Sequence, residues 1–184
     1  MKEEKITTKD KVKTKTKKVR NFFIKISPYA IFLIAILLLN QFVCRLTTVS
    51  GDSMMPYFKN GQVLLINRTT QFTHSYDRND VVVAYSDELK MYLIKRIIGL
   101  PGETIKINSG IIYINNEPLE EKLSHDIIIS GGKAENEITL KENEYFLIGD
   151  NRNNSLDSRE LGAFLDKSII GKICFSFTPF GIVK

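Results

Sequence analysis

Residues 103–119 read ETIKINSGIIYINNEPL. Two runs with apolar side chains at alternate positions meet at Asn108-Ser109-Gly110. Alternation with period two marks strands with one buried face, and a Gly-containing polar junction lets the chain reverse. The stretch predicts a β-hairpin. Outward from it, short runs rich in β-branched residues read the same way: GQVLLINR (61–68), DVVVAYS (80–86), YLIKRIIG (92–99), NEYFLIGD (143–150) and IIGKICFSF (169–177). Pro and Gly punctuate the gaps, and no long helical period follows residue 46. Residues 120–140 are polar and interrupted by Gly131-Gly132, which predicts a loop or an extended hairpin. The fold class is therefore mainly β, built from antiparallel sheet.

The N-terminal part is different. Pro28 to Leu39 holds no charge or strongly polar side chain, and Asn40 and Gln41 alone interrupt the run to Cys44. At about 1.5 Å rise per residue the run is ~25 Å long, slightly short of a ~30 Å hydrocarbon core. Phe22, Phe23 and Ile24 lengthen it, with Lys25 snorkelling to the interface. Ser27-Pro28 suits a helix N-cap and first helical position. A buried soluble helix would show a polar face. A cleaved secretory signal would show a small-x-small site, and NQFVCRLTTVSG (40–51) offers none. A single transmembrane helix over residues 22–45 is the expectation. It would join a basic, disordered tail (1–21) to a β-rich domain (46–184).

Charge supports this division. Residues 1–27 carry ten Lys/Arg against three Asp/Glu, a balance of +7, which leaves −2 for the rest of a chain with formal total +5. The basic character belongs to the tail, so the domain has no electrostatic footprint for nucleic acid. Cations precede the span and only Arg45 closely follows it, which predicts a cytoplasmic N-terminus and an extracytoplasmic domain. The two cysteines, Cys44 and Cys174, are too few for a disulfide framework and read as small buried hydrophobes.

Just past the span, VSGDSMMPYF (49–58) places Ser53 in a Met-Pro stretch. A serine hydroxyl needs a base to become a nucleophile. His74 and His125 both lie in polar, turn-like segments and read as surface residues. Lys95 is different: along the 92–99 strand it shares a face with Leu93 and Ile97, while Arg96 shares the other with Tyr92 and Ile94. Burial favours a neutral amine, and a neutral lysine is a general base. A third stretch, GDNRNNSLDSRELGAF (149–164), is dense in Asp, Asn, Ser and Arg directly after an apolar strand. It suits a polar network, with Asp157 and Arg159 matched to pair and Ser155 able to bond a neutral amine.

Together SGDSMMPYF, DRNDVVVAY, YLIKRIIGLPGETI and GDNRNNSLDSRELGAF resemble, in order and behind an N-terminal anchor, the sequence boxes of bacterial type I signal peptidases. The resemblance covers residues 28–184. It implies the antiparallel β signal-peptidase fold and a membrane-anchored Ser-Lys endopeptidase that cleaves preproteins after small residues at −1 and −3 through an acyl-enzyme. No cofactor or metal is implied. By resemblance Ser53 is the nucleophile and Lys95 the general base. Ser155 orients the lysine, and Asp150, Asp157 and Arg159 form the supporting network. Val49, Gly51, Met54, Leu93 and Ile94 fall at substrate-binding positions. The expected partners are preprotein signal peptides and membrane lipid, with Met54, Met55 and Phe58 candidates for lipid contact and the protein a monomer.

Three positions depart from the family pattern: Tyr57 stands where Thr is usual, Asn79 where Gly is usual, and Asn153 where Asp is usual. Asn tolerates left-handed backbone, so the turn at 79 can persist. A non-catalytic scaffold would lack Ser53 or Lys95. A self-cleaving Ser-Lys repressor of the related fold would carry a DNA-binding helix-turn-helix in place of the span.

Overall fold

The computed structural model describes residues 8–121, 126–178 and 180–183; His125 lies outside them. The chain divides into two units, Met1–Gln41 and Phe42–Lys184.

The first unit is a helix, α1, which runs to Phe42 from Thr8. Two expectations are corrected here. Residues 8–21 are helical rather than disordered: lysine is a good helix former, and extending an existing helix avoids the nucleation cost. Pro28 lies inside the helix rather than at its start. A proline cannot donate to the carbonyl four residues back. That carbonyl belongs to Ile24, and it accepts instead from Ser27 Oγ at 3.1 Å. Arg20–Leu38 is long and apolar enough to cross a membrane, with mean hydropathy 1.9.

The second unit is antiparallel β, as expected. Its strands are β1 (Cys44–Thr48), β2 (Val63–Asn67), β3 (Val81–Ser86), β4 (Met91–Gly99), β5 (Thr104–Asn108), β6 (Ile111–Ile114), β7 (Glu117–Pro118), β8 (Ile138–Thr139), β9 (Glu144–Ile148), β10 (Phe164–Leu165), β11 (Ile169–Phe177) and β12 (Phe180–Ile182). The large sheet runs β1-β2-β11-β3-β4-β9-β10, with β12 on β11; the smaller runs β7-β6-β5-β8. The helices of this unit, α2 (Thr70–Thr73) and α3 (Ser158–Leu161), are single turns. The transmembrane expectation to residue 45 overran: the helix ends at Phe42, and Cys44–Thr48 pairs with β2.

The 103–119 hairpin forms as read. Asn108 pairs with Ile111 across a Ser109-Gly110 turn, with φ +51° and +81° at the two turn residues. Left-handed backbone at both central positions matches the twist of a tight hairpin. Its alternation puts Ile105, Ile107, Ile112 and Ile114 in one core with Ile98, Phe146 and Ile148. Neighbouring residues of the large sheet face the other way: Ile97, Tyr145 and Leu147 pack with Val82, Ala84 and Ile169. A third core gathers Val49, Met54, Phe58, Leu64, Ile66, Val81, Val83 and Ile173. Both faces of the large sheet are thus covered, which explains continuous apolar runs such as 81–84. Met54 and Phe58 are buried here, at 1% and 6% exposure, so neither is available to lipid. The exposed large apolar side chains include Phe177, Phe180 and Ile182 on the β11–β12 hairpin.

Candidate active site

Ser53 sits in a compact turn after β1. Gly51 enters it at φ +86° with its N–H donated to Asn60 Oδ1. Met55 N–H returns to Asp52 O at 3.1 Å and Phe58 N–H to Met54 O at 2.8 Å. Lys95 comes from the middle of β4, opposite Val82 of β3. Its Nζ donates to Ser53 Oγ at 2.6 Å. The lysine is 2% exposed. Burial lowers its pKa to about 8, the nearby Asp157 carboxylate opposes that shift, and the Arg159 guanidinium reinforces it. An amine so placed reaches its neutral form far below the usual lysine range, within hydrogen-bond reach of a hydroxyl.

Both cations of β4 are buried, one on each face. Arg96 has an ionic partner in Asp150: its Nε and Nη2 donate to the two carboxylate oxygens at 2.7 Å each, and Nη1 donates to Asn79 O at 2.7 Å. The sequence pointed to Asp150 but left its partner unnamed. The signal was the adjacent cation of opposite facing. Asn79 holds φ +75°, so the left-handed turn persists with Asn in place of Gly. Tyr57 lies with its ring centroid 5.9 Å from the Arg96 guanidinium carbon, a cation–π contact that a threonine would lack.

Asp157 and Arg159 pair as expected. Arg159 Nε and Nη2 donate to the two oxygens of Asp157 at 2.9 Å each, with both residues buried. Asp157 also accepts from Gly149 N–H at 2.9 Å and caps α3, with the Glu160 side chain returning to its own N–H. This carboxylate therefore ties the end of β9 to the polar loop. Ser155 differs from its expectation: its Oγ is buried with no hydrogen-bond partner among the described residues, so the bond to Lys95 is not made here.

Gly149 was also missed by sequence reasoning. A methyl group at this position would lie 2.1 Å from Ser155 Oγ and 2.6 Å from Ser53 O. The Ser53 backbone and Ser155 close over a position that only glycine fits. Gly149→Ala is expected to destabilise by about 1–3 kcal/mol through overpacking and to depress activity more than the melting change explains. A melting curve and a cleavage rate on the same preparation check this.

Arg152 is buried and paired with Glu121 through both of its terminal nitrogens. Asn153 Nδ2 donates to Ile127 O at 3.0 Å, and its Oδ1 accepts from Ile129 N–H at 3.0 Å. An aspartate could not make the first of these bonds, which accounts for the amide here. His74 stands by Asp166 at 3.5 Å on the surface, where the sequence put it.

Of the expected substrate positions, Val49, Met54 and Ile94 pack into one apolar cluster. Leu93 packs against the opposite one, on the lysine's face. Next to Ile94 a groove is lined by Leu46 and Thr47 of β1, Val83 of β3, and Tyr92 of β4. β1 ends the large sheet, and β4 pairs with β9 only from Arg96 onward, so Met91–Lys95 has no strand partner on that side among the described residues.

A family model described as signal peptidase, peptidase S26, matches residues 23–178. Signal peptidase I S of Bacillus subtilis (strain 168) is 34% identical over 160 residues, covering 80% of this chain and 84% of its own length. Signal peptidase I T of the same strain is 32% identical over 197 residues, covering 100% and 98%. A crystal structure of a signal peptidase I from Enterococcus faecalis V583 matches at 30% identity and a TM-score of 0.46, over 53% of this chain and 96% of that one.

Proposed function

The chain belongs to the signal peptidase family, peptidase S26, and from that premise we propose that it removes signal peptides from preproteins with Ser53 as nucleophile and Lys95 as general base. The carrying observation is the 2.6 Å contact between a hydroxyl and a buried amine whose pKa falls to about 8. Neutral Lys95 takes the Ser53 proton as Oγ attacks the scissile carbonyl. The oxyanion forms against the Ser53 N–H. The lysine ammonium then protonates the leaving amine, and Lys95 activates the water that hydrolyses the acyl-enzyme. Asp157–Arg159 and Asp150–Arg96 brace the two sides of the site. The unsatisfied Ser155 hydroxyl is available to orient the lysine, in keeping with the family pattern.

The substrate adds as an extended strand between the unpaired edges of β1 and β4. Gly51 and Ile94 form shallow walls for the small residues at −1 and −3, backed by the buried Val49 and Met54, with Leu93 bordering the site from the lysine's face. The test is incubation of detergent-solubilised protein with a preprotein, followed by sequencing of the new N-terminus. Parent protein is expected to cut after the small-x-small site, and Ser53→Ala is not. Cleavage by Ser53→Ala would remove the proposed nucleophile.

The apolar part of α1 anchors the enzyme by a single span, with residues 1–21 cytoplasmic and the catalytic domain outside. The exposed Phe177, Phe180 and Ile182 offer that domain a lipid-facing surface. The +7 balance of residues 1–27 and the span support this orientation. Protease added to protoplasts is expected to reach the domain side and spare residues 1–20. A tail digested from outside would reverse the orientation.

A further inference from the structure

The oxyanion donor proposed above is half of a peptide group whose other half is held by the polar loop. Asp52 O accepts from Asn151 Nδ2 at 3.1 Å and from Met55 N–H at 3.1 Å. The next carbonyl, Ser53 O, accepts from the backbone N–H of Asn151 at 3.0 Å. One residue therefore grips the nucleophile's backbone on both sides. The Asp52–Ser53 bond is trans. In a planar trans peptide the C=O and N–H point in opposite directions, so fixing Asp52 O fixes the direction of Ser53 N–H. Two donors on that carbonyl also polarise the amide and strengthen its N–H as a donor.

The grip is firm because its own base is anchored. Asn154 N–H closes a turn onto Asn151 O at 3.0 Å. Within that turn buried Arg152 holds Glu121, and Asn153 holds the backbone of Ile127 and Ile129. The turn is thus bound to the nucleophile on one side and to the segments flanking the smaller sheet on the other. Gly149 packs beneath the same Ser53 carbonyl.

We infer that Asn151 is a positioning residue for this reaction: its side-chain amide aims and strengthens the Ser53 N–H at the developing oxyanion. The inference rests on the proposed role of Ser53. Asn151→Asp keeps the size but loses the donor and turns lone pairs toward Asp52 O. Asn151→Ala removes the contact without adding charge, and serves if the aspartate variant does not fold.

The experiment compares these variants with parent protein for preprotein cleavage and for binding of a peptide aldehyde and the matching peptide alcohol. Ser53 Oγ adds to the aldehyde carbon and its proton passes to Lys95. The negative charge then rests on the hemiacetal oxygen, facing the Ser53 N–H. The alcohol forms no such oxygen. Loss of a whole oxyanion donor lowers kcat about 100- to 1,000-fold, so loss of its positioning is expected to lower kcat by about 30-fold with KM nearly unchanged. Aldehyde affinity is expected to fall by a similar factor and alcohol affinity to hold. Equal weakening of aldehyde and alcohol, or kcat within about twofold of parent in a variant that melts normally, overturns the inference. Ser53→Ala run alongside separates the two levels. Cleavage by that variant would defeat the proposed nucleophile, whereas an inactive Ser53→Ala beside fully active Asn151 variants would defeat the positioning role alone.

Discussion

Lys95→Arg is expected to fold and to cleave no preprotein, because a guanidinium does not deprotonate in the working range and cannot take the Ser53 proton. In the parent, activity should rise with pH through about 8, the value to which burial lowers the Lys95 amine. The same shift acts on stability. The folded-state pKa is below the unfolded value of 10.5. Between those two values the unfolded chain therefore binds more protons, and stability rises with pH across that window. Below about 8 the native state carries the full penalty of a buried ammonium, at about 1.36 kcal/mol per unit. Lys95→Met removes it and is expected to raise stability near neutral pH by up to roughly 3 kcal/mol while abolishing activity. His74→Ala and His125→Ala should retain cleavage. A preprotein assay and a thermal melt of all four variants check the set. Turnover by Lys95→Arg, or loss of turnover in a folded histidine variant, would replace the lysine base with an imidazole.

Arg159→Ala is expected to destabilise by about 3–5 kcal/mol, since it strands a buried carboxylate. Asp157 would keep its bonds to backbone N–H groups but lose both guanidinium contacts. The substitution also carries an electrostatic signature. Arg159 lowers the Lys95 pKa and Asp157 raises it. Removing the guanidinium should therefore move the rising limb of the pH–activity curve to higher pH. Asp157→Asn should move it lower. Denaturant melts and pH–rate profiles of both variants test bracing and electrostatics separately. An Arg159→Ala protein that melts like the parent would show that the pair does not brace the loop.

Much of the fold was legible because its signals are local. The hairpin at 103–119 is written in a period of two and in a turn that tolerates left-handed backbone, and the structure keeps both. The continuous apolar run at 81–84 also has a local meaning, a strand covered on both faces. Boundaries failed where a distant segment decided them. Cys44 and Arg45 read as the end of the span and become part of a strand because β2 offers them a ladder. Lipid contact by Met54 and Phe58 was inferred from proximity to the span, yet a core drawn from three other strands encloses both.

The candidate site divides in the same way. The types and order of Ser53, Lys95, Asp150, Asp157 and Arg159, the basic tail and the apolar helix were determined by the sequence alone, since residue identity, charge balance and periodicity are properties of the chain itself. Which groups meet was decided by tertiary structure. Lys95 reaches Ser53 across 42 residues, Arg96 reaches Asp150 across 54, and Asn151 reaches Asp52 across 99. Each donor had several acceptors of suitable chemistry in the sequence. Packing selected among them, because a hydrogen bond requires its partners within about 3 Å and a lysine loses its proton only where surrounding side chains exclude water.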